Sequence, residues 1–106
     1  MKYLTNFHKD EIKENAINEG STLKIRIVGA EIVTARIKNP IGNLMDIAQS
    51  HKFDSDNNAE TIEIKLFRRR FLRKVNFPTG EYDLVVWYWD QDSQKGGHYK
   101  ERFEIV

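Results

Sequence analysis

Residues Phe77–Val106 read FPTGEYDLVVWYWDQDSQKGGHYKERFEIV, and this stretch decides the fold. From Tyr82 to Trp89 the side chains alternate: if Tyr82, Leu84 and Val86 face a core, then Val85, Trp87 and Trp89 leave from the other side of the same strand. Asp90–Gly97 then interrupts the pattern with Asp, Ser and Gly, residues that favour reversals. His98–Ile105 reads as the returning strand. Two long strands joined by a Gly-containing turn predict an antiparallel β-sandwich rather than a helical or α/β fold.

Working back from this hairpin, the same period recurs. In STLKIRIV (Ser21–Val28), Leu23, Ile25 and Ile27 point one way and Thr22, Lys24 and Arg26 the other, and Gly29 ends the run. EIVTARIK (Glu31–Lys38) places Val33, Ala35 and Ile37 on one face before Asn39-Pro40 and Gly42-Asn43 break it. Leu44–Ala48 fits a short strand or a helical turn. SHKFDSDNNA (Ser50–Ala59) reads as the longest loop and the segment expected to move most, because Asp, Ser and Asn compete for backbone hydrogen bonds. Thr61–Phe67 alternates again, and the basic connection RRRFLRKVN (Arg68–Asn76) leads to the Phe77 corner. In residues 1–20, Phe7, Ile12, Ala16 and Ile17 fit one side of a short helix or an irregular edge strand, and the edge strand is the favoured reading. The expectation is all-β: one domain over residues 1–106, a single antiparallel sandwich of about seven strands.

Composition sets the outer bounds. A chain of 106 residues buries about two-thirds of its unfolded surface on folding, enough to need no metal or disulfide staple. Hydrophobic residues make up 40% and charged residues 31%, which argues against disorder. No apolar run approaches the ~20 residues of a membrane-spanning helix, and the opening MKYLTNFHKDEIKEN contains no apolar block of the secretory kind. If the chain is complete, it is expected to be cytoplasmic or virion-associated. Its lack of cysteine excludes thiol catalysis, and its net charge of +1 leaves any anionic partner to a local patch.

Two segments carry a resemblance. AINEGSTLKIRIV (Ala16–Val28) resembles the hydrophobic-x-Glu-Gly turn that leads into strand B of immunoglobulin-like sandwiches, and GEYDLVV (Gly80–Val86) resembles their tyrosine corner. The resemblance implies that the Tyr82 hydroxyl bonds back to nearby backbone. It also places Ile25 and Leu84 near the positions of the bridging cysteines in antibody domains. No tryptophan occurs in the second strand, so antibody-type recognition is not implied. The looser similarity is to bacterial and viral immunoglobulin-like modules, whose roles include adhesion, virion decoration, polysaccharide binding and spacing of other domains.

Candidate chemistry falls into three places. Trp87 and Trp89, with Tyr99, would form an aromatic platform for a protein or polysaccharide; the alternative is that the tryptophans lie beneath a loop, or that a β-bulge turns them inward. Arg68, Arg69, Arg70, Arg73 and Lys74, interleaved with Phe67, Phe71 and Leu72, would suit an anionic partner, nucleic acid included, unless Glu60, Glu63 and Asp90 pair with them. Asp54, Asp56, Asn58 and Glu60 superficially resemble a calcium loop, but Ala59 and Lys65 stand where an EF-hand needs glycine and a bidentate glutamate. His8, His51 and His98 are too scattered to aim at one metal, and no serine sits in a nucleophile elbow. The expected function is a non-catalytic binding or structural module without metal or cofactor, contacting a protein or polysaccharide through its aromatic face, with a small nucleic-acid-binding protein using residues 68–74 as the alternative.

Overall fold

The alternating runs do become strands, and two of them dominate the molecule. In the computed structural model, which describes residues 2–9, 14–48, 50–90 and 92–106, the chain forms β1 (Lys2–Thr5), β2 (His8–Lys9), β3 (Glu14–Ile17), β4 (Thr22–Val28), β5 (Ala30–Lys38), β6 (Leu44–Ile47), β7 (Ser50–Asp54), β8 (Ala59–Lys65), β9 (Phe67–Arg70), β10 (Arg73–Asn76), β11 (Gly80–Asp90) and β12 (Lys95–Ile105). They build a four-stranded sheet in the order β1-β4-β8-β7, a six-stranded sheet in the order β2-β3-β12-β11-β5-β6, and a separate β9-β10 ribbon. None of the described residues belongs to a helix long and apolar enough to cross a membrane.

The all-β expectation is met, but the single seven-strand sandwich is corrected: the described residues form twelve strands in three sheets. The additional strands come from segments without clean alternation. The N-terminal residues split into an edge strand of each large sheet. The supposed long loop Ser50–Ala59 is mostly β7 and the start of β8, joined by the turn 55–58, because its backbone pairs with β8 from Ser50–Glu63 to Asp54–Ala59. The basic connection folds on itself as β9-β10. The sandwich is also not purely antiparallel, since β3 runs parallel to β12.

The core lies between the two large sheets. Leu23, Ile25, Ile27, Ile62 and Ile64 from the four-stranded sheet form one buried cluster with Ala35, Ile37, Leu84, Val86, Phe103 and Ile105 from the six-stranded sheet. Complete burial of each large aliphatic side chain contributes about 1.5–3 kcal/mol, so period-2 patterning on both sheets is what holds them together. At one end Phe77, Tyr82, Phe103 and Phe7 continue the core as a row of stacked rings, with centroids 5.0 to 6.4 Å apart. The Tyr82 hydroxyl donates to the Pro78 carbonyl at 2.7 Å, the backbone bond expected of this residue. Gly20, at φ +77°, closes the turn before β4 in a left-handed conformation that glycine adopts without steric cost.

Candidate functional site

The register of β11 determines which side chains it presents. β11 pairs with β12 without interruption from Gly80–Ile105 to Asp90–Lys95. Its pairing with β5 shifts once, between Trp87–Thr34 and Tyr88–Ile32. The bulge therefore belongs to β5, where Val33 is left unopposed and 64% exposed, and β11 keeps its alternation. Tyr88 packs inward against the core, while Trp87 is half-buried and Trp89 is 39% exposed on the outer face.

Glycine makes the flat surface beside them. Trp89 lies opposite Gly96, where an added Cβ would stand 3.8 Å from its ring, and on the inward face Tyr88 crosses Gly97 so closely that an added Cβ would meet its hydroxyl at 2.5 Å. Around the tryptophans runs an open cleft of about 550 Å³, lined also by Val33, Thr34, Arg36 and His98. The His98 ring is tilted against Trp87 at 6.2 Å between centroids. The Arg36 guanidinium and Lys38 ammonium stand 5.3 and 5.9 Å from the Trp87 ring centroid, positions where the ring quadrupole attracts cations. The surface thus combines aromatic area with positive charge.

Beneath its far end lies a group that the alternation did not identify. Asp83 is buried on this outward side, and Arg102 donates to it from Nε at 3.0 Å and from a terminal nitrogen at 3.4 Å, with Lys100 Nζ 3.4 Å away. The Arg102 hydrogen bond holds the Asp83 carboxyl below its ordinary range, against the opposing effect of burial. Asp83 stands directly across from Arg102 in the register, a relation that appears only once the turn length is known.

Tyr99 does not join the tryptophans. It lies across from Val86, an inward position, and stacks on Tyr3 of the opposite sheet at 4.2 Å between centroids. Burial pushes its hydroxyl pKa strongly upward. Tyr99 ties the two sheets together at their edge, and the outer surface is formed without it.

The cationic segment is divided between support and exposure. Arg68 donates to the Met45 carbonyl at the free edge of β6, and its guanidinium lies 5.8 Å from the Phe77 ring centroid. Lys74 donates to the Gly20 carbonyl at 2.9 Å and covers the Phe67 ring at 4.3 Å, with Arg69 5.8 Å from the same centroid. Arg70 and Arg73 lie across from one another beside the tip. The acids expected to neutralise this segment are engaged elsewhere: Glu60 accepts from the Ile32 amide at 2.6 Å and contacts His51 at 3.0 Å, Glu63 lies 3.9 Å from Lys24, and Asp90 accepts from the Asp92 and Ser93 amides. Among the described residues no ion pair reaches the segment from Arg68 to Lys74.

Within the calcium-like run, the Asp54 carboxylate is used in turn chemistry. Asp54 accepts from the Asp56 and Asn57 amides and from the Asn57 side chain at 2.7 Å, and Glu60 points into the sandwich. Among the described residues no group of three or more His, Cys, Asp or Glu side chains converges on one point. A second cleft, of about 560 Å³, opens between β6, β8 and β9 beside Asp46, Glu63, Lys65 and Arg68. Its Arg68 is tied to Met45, and Asp46 accepts from the adjacent Ile47 amide, so two of its polar groups are already engaged. The two clefts are similar in size, and the one on β11 is the one lined by tryptophans. Compared with family models and with curated proteins, the chain matches none.

Proposed function

We propose that this chain is a non-catalytic binding module of immunoglobulin-like type that contacts a protein or polysaccharide through the outer face of its six-stranded sheet. Strand order supports the fold reading: lettering β1, β4, β5, β7, β8, β11 and β12 as A to G gives A-B-E-D in one sheet and C-F-G in the other, with β6 added beside C. The Tyr82–Pro78 hydrogen bond stands at the start of the strand so lettered F. The observation that carries the functional reading is the outward placement of Trp87 and Trp89 beside an open cleft, where indoles can stack on a sugar ring or fill a partner's pocket.

The alternative of a nucleic-acid-binding protein using Arg68, Arg69, Arg70, Arg73 and Lys74 is less well supported, because Arg68 and Lys74 are held to backbone carbonyls of the sandwich. The test begins with a panel of immobilised polysaccharides and with cross-linked protein partners identified by mass spectrometry. For each ligand found, Trp87→Ala with Trp89→Ala should weaken binding by about 2 kcal/mol, roughly thirtyfold, with little dependence on salt for a neutral sugar. Unchanged affinity for every ligand in the double variant would sink the proposal.

A further inference from the structure

The β9-β10 ribbon contains three features that nothing among the described residues compensates. At its tip, Phe71 and Leu72 are essentially fully exposed, at 103% and 100%. Phe71 also sits at φ +56°, a left-handed conformation that a bulky residue adopts at a cost and that turns normally assign to Gly or Asn. Immediately behind the tip, Arg70 and Arg73 are direct cross-strand neighbours, and like charges so placed repel. Surface apolar residues are common singly, but here two adjacent ones coincide with backbone strain and charge repulsion in a ribbon of two four-residue strands. A partner with an apolar interior and an anionic surface would relieve the exposure and the repulsion together.

We propose that the β9-β10 ribbon is a membrane-docking finger: Phe71 and Leu72 enter the boundary between headgroups and acyl chains of a bilayer rich in acidic phospholipids, while Arg69, Arg70 and Arg73 meet the phosphates. The order of groups along the ribbon matches the order across such an interface. Its apolar end comes first; Arg70 and Arg73 follow one residue back and Arg69 two residues back, roughly 3–7 Å at the rise of a strand. From Phe67 to Asn76 there is no acid to repel the lipid charge. At its foot Arg68 and Lys74 fasten the ribbon to Met45 and Gly20, which holds the finger out from the sandwich.

Nucleic acid has the same two properties, but the ribbon suits it less well. Stacking needs open rings, and here Phe67 is covered by Lys74 and Arg69 while Phe77 is buried against Tyr82, which leaves Phe71 as the one free ring of the segment. Leu72 has no ring to stack, and a two-residue apolar knob could enter a duplex only by unstacking a base step. A bilayer accepts the same knob without such an opening. This inference is independent of the tryptophan surface, which lies on β11.

The absence of cysteine allows a direct test. Leu72→Cys, labelled with an environment-sensitive fluorophore, is mixed with vesicles of phosphatidylcholine and phosphatidylserine, and Val33→Cys on the sheet face serves as the control. The dye at position 72 should brighten and shift to the blue with acidic vesicles, much less with pure phosphatidylcholine, and the dye at position 33 should not respond. In co-sedimentation, Phe71→Ser with Leu72→Ser, and separately Arg70→Gln with Arg73→Gln, should each weaken binding at least about tenfold, and added salt should weaken it further. Both tip side chains lie outside all packing, so the variants should retain the wild-type circular dichroism. Failure of the unmodified chain to co-sediment with acidic vesicles at high lipid overturns the proposal, as does unchanged binding by the tip variant. So does a tip variant that loses affinity for a single-stranded oligonucleotide while vesicles are not bound by the parent.

Discussion

Asp83 occupies a position where the alternation of β11 directs a side chain toward solvent, yet it is buried between Arg102 and Lys100. Two hydrogen bonds from one guanidinium compensate its desolvation, and the aliphatic stems of Lys100 and Arg36, the cross-strand neighbours of Val85, account for the burial of that residue on the same face. Because its folded pKa is lowered, Asp83 contributes stability that is fully present above its unfolded value, near 4, and is lost as pH falls through the folded value. Asp83→Asn should therefore cost about 1–2 kcal/mol at neutral pH, the lower end reflecting the half-exposed Arg102. It should also flatten the acid side of a plot of melting temperature against pH. The slope should shrink rather than vanish, since the Asn57 side chain holds the Asp54 carboxyl low and acts in the same direction. An unchanged acid slope in Asp83→Asn would show that this pair does not govern acid stability.

Among the elements, the two hairpins differ in what their turns and tips require. The β11-β12 hairpin is long, continuously paired, and relieved of side-chain bulk at Gly96 and Gly97, so its aromatic residues settle without strain. The β9-β10 ribbon has the opposite character, with a strained aromatic at its apex. Phe71→Asn should raise the stability of the isolated protein by about 1 kcal/mol, measured as the midpoint of urea unfolding, because Asn tolerates the left-handed region and no packing is lost. A decrease instead would mean that the Phe71 ring contributes to the folded chain. The strands β4, β5, β8 and β11 were legible in sequence because each turns a row of apolar residues to the core, which imprints period 2 on most of its length. The ribbon was not, since Arg68–Asn76 buries neither face and leaves no periodicity to read. β7 was hidden in the same way: four of its five residues are polar, and its Phe53 is exposed.

At the scale of the molecule, the N-terminal segment closes both sheets, with β1 at one edge of the four-stranded sheet and β2 and β3 at an edge of the six-stranded one. Phe7 lies where the chain passes between them and stacks on Phe103 with ring centroids 5.0 Å apart. Phe7→Ala should cost about 3–5 kcal/mol, a large share of the stability of a domain this size, and should be visible as a lowered melting temperature with intact strand content below it. A change under ~1 kcal/mol would indicate that the segment is not part of the cooperative unit. The sequence alone determined that the chain is all-β, that Leu23, Ile25, Ile27, Ala35, Ile37, Leu84 and Val86 form the core, and that Trp87 and Trp89 leave β11 on the side away from Tyr82, while the resemblance supplied the bond from Tyr82 to backbone. All of these follow from local alternation or from contacts a few residues apart. Val33, expected inward, is turned out by the β5 bulge, and Ile32 is buried instead. Tertiary structure decided the rest: the separation of Tyr99 from the tryptophans, the pairing of Asp83 with Arg102, and the folding of the cationic run into a projecting ribbon. Those outcomes depend on strand register, where a slip of one residue exchanges the two faces, and register is set by turns and distant partners rather than by the residues it positions.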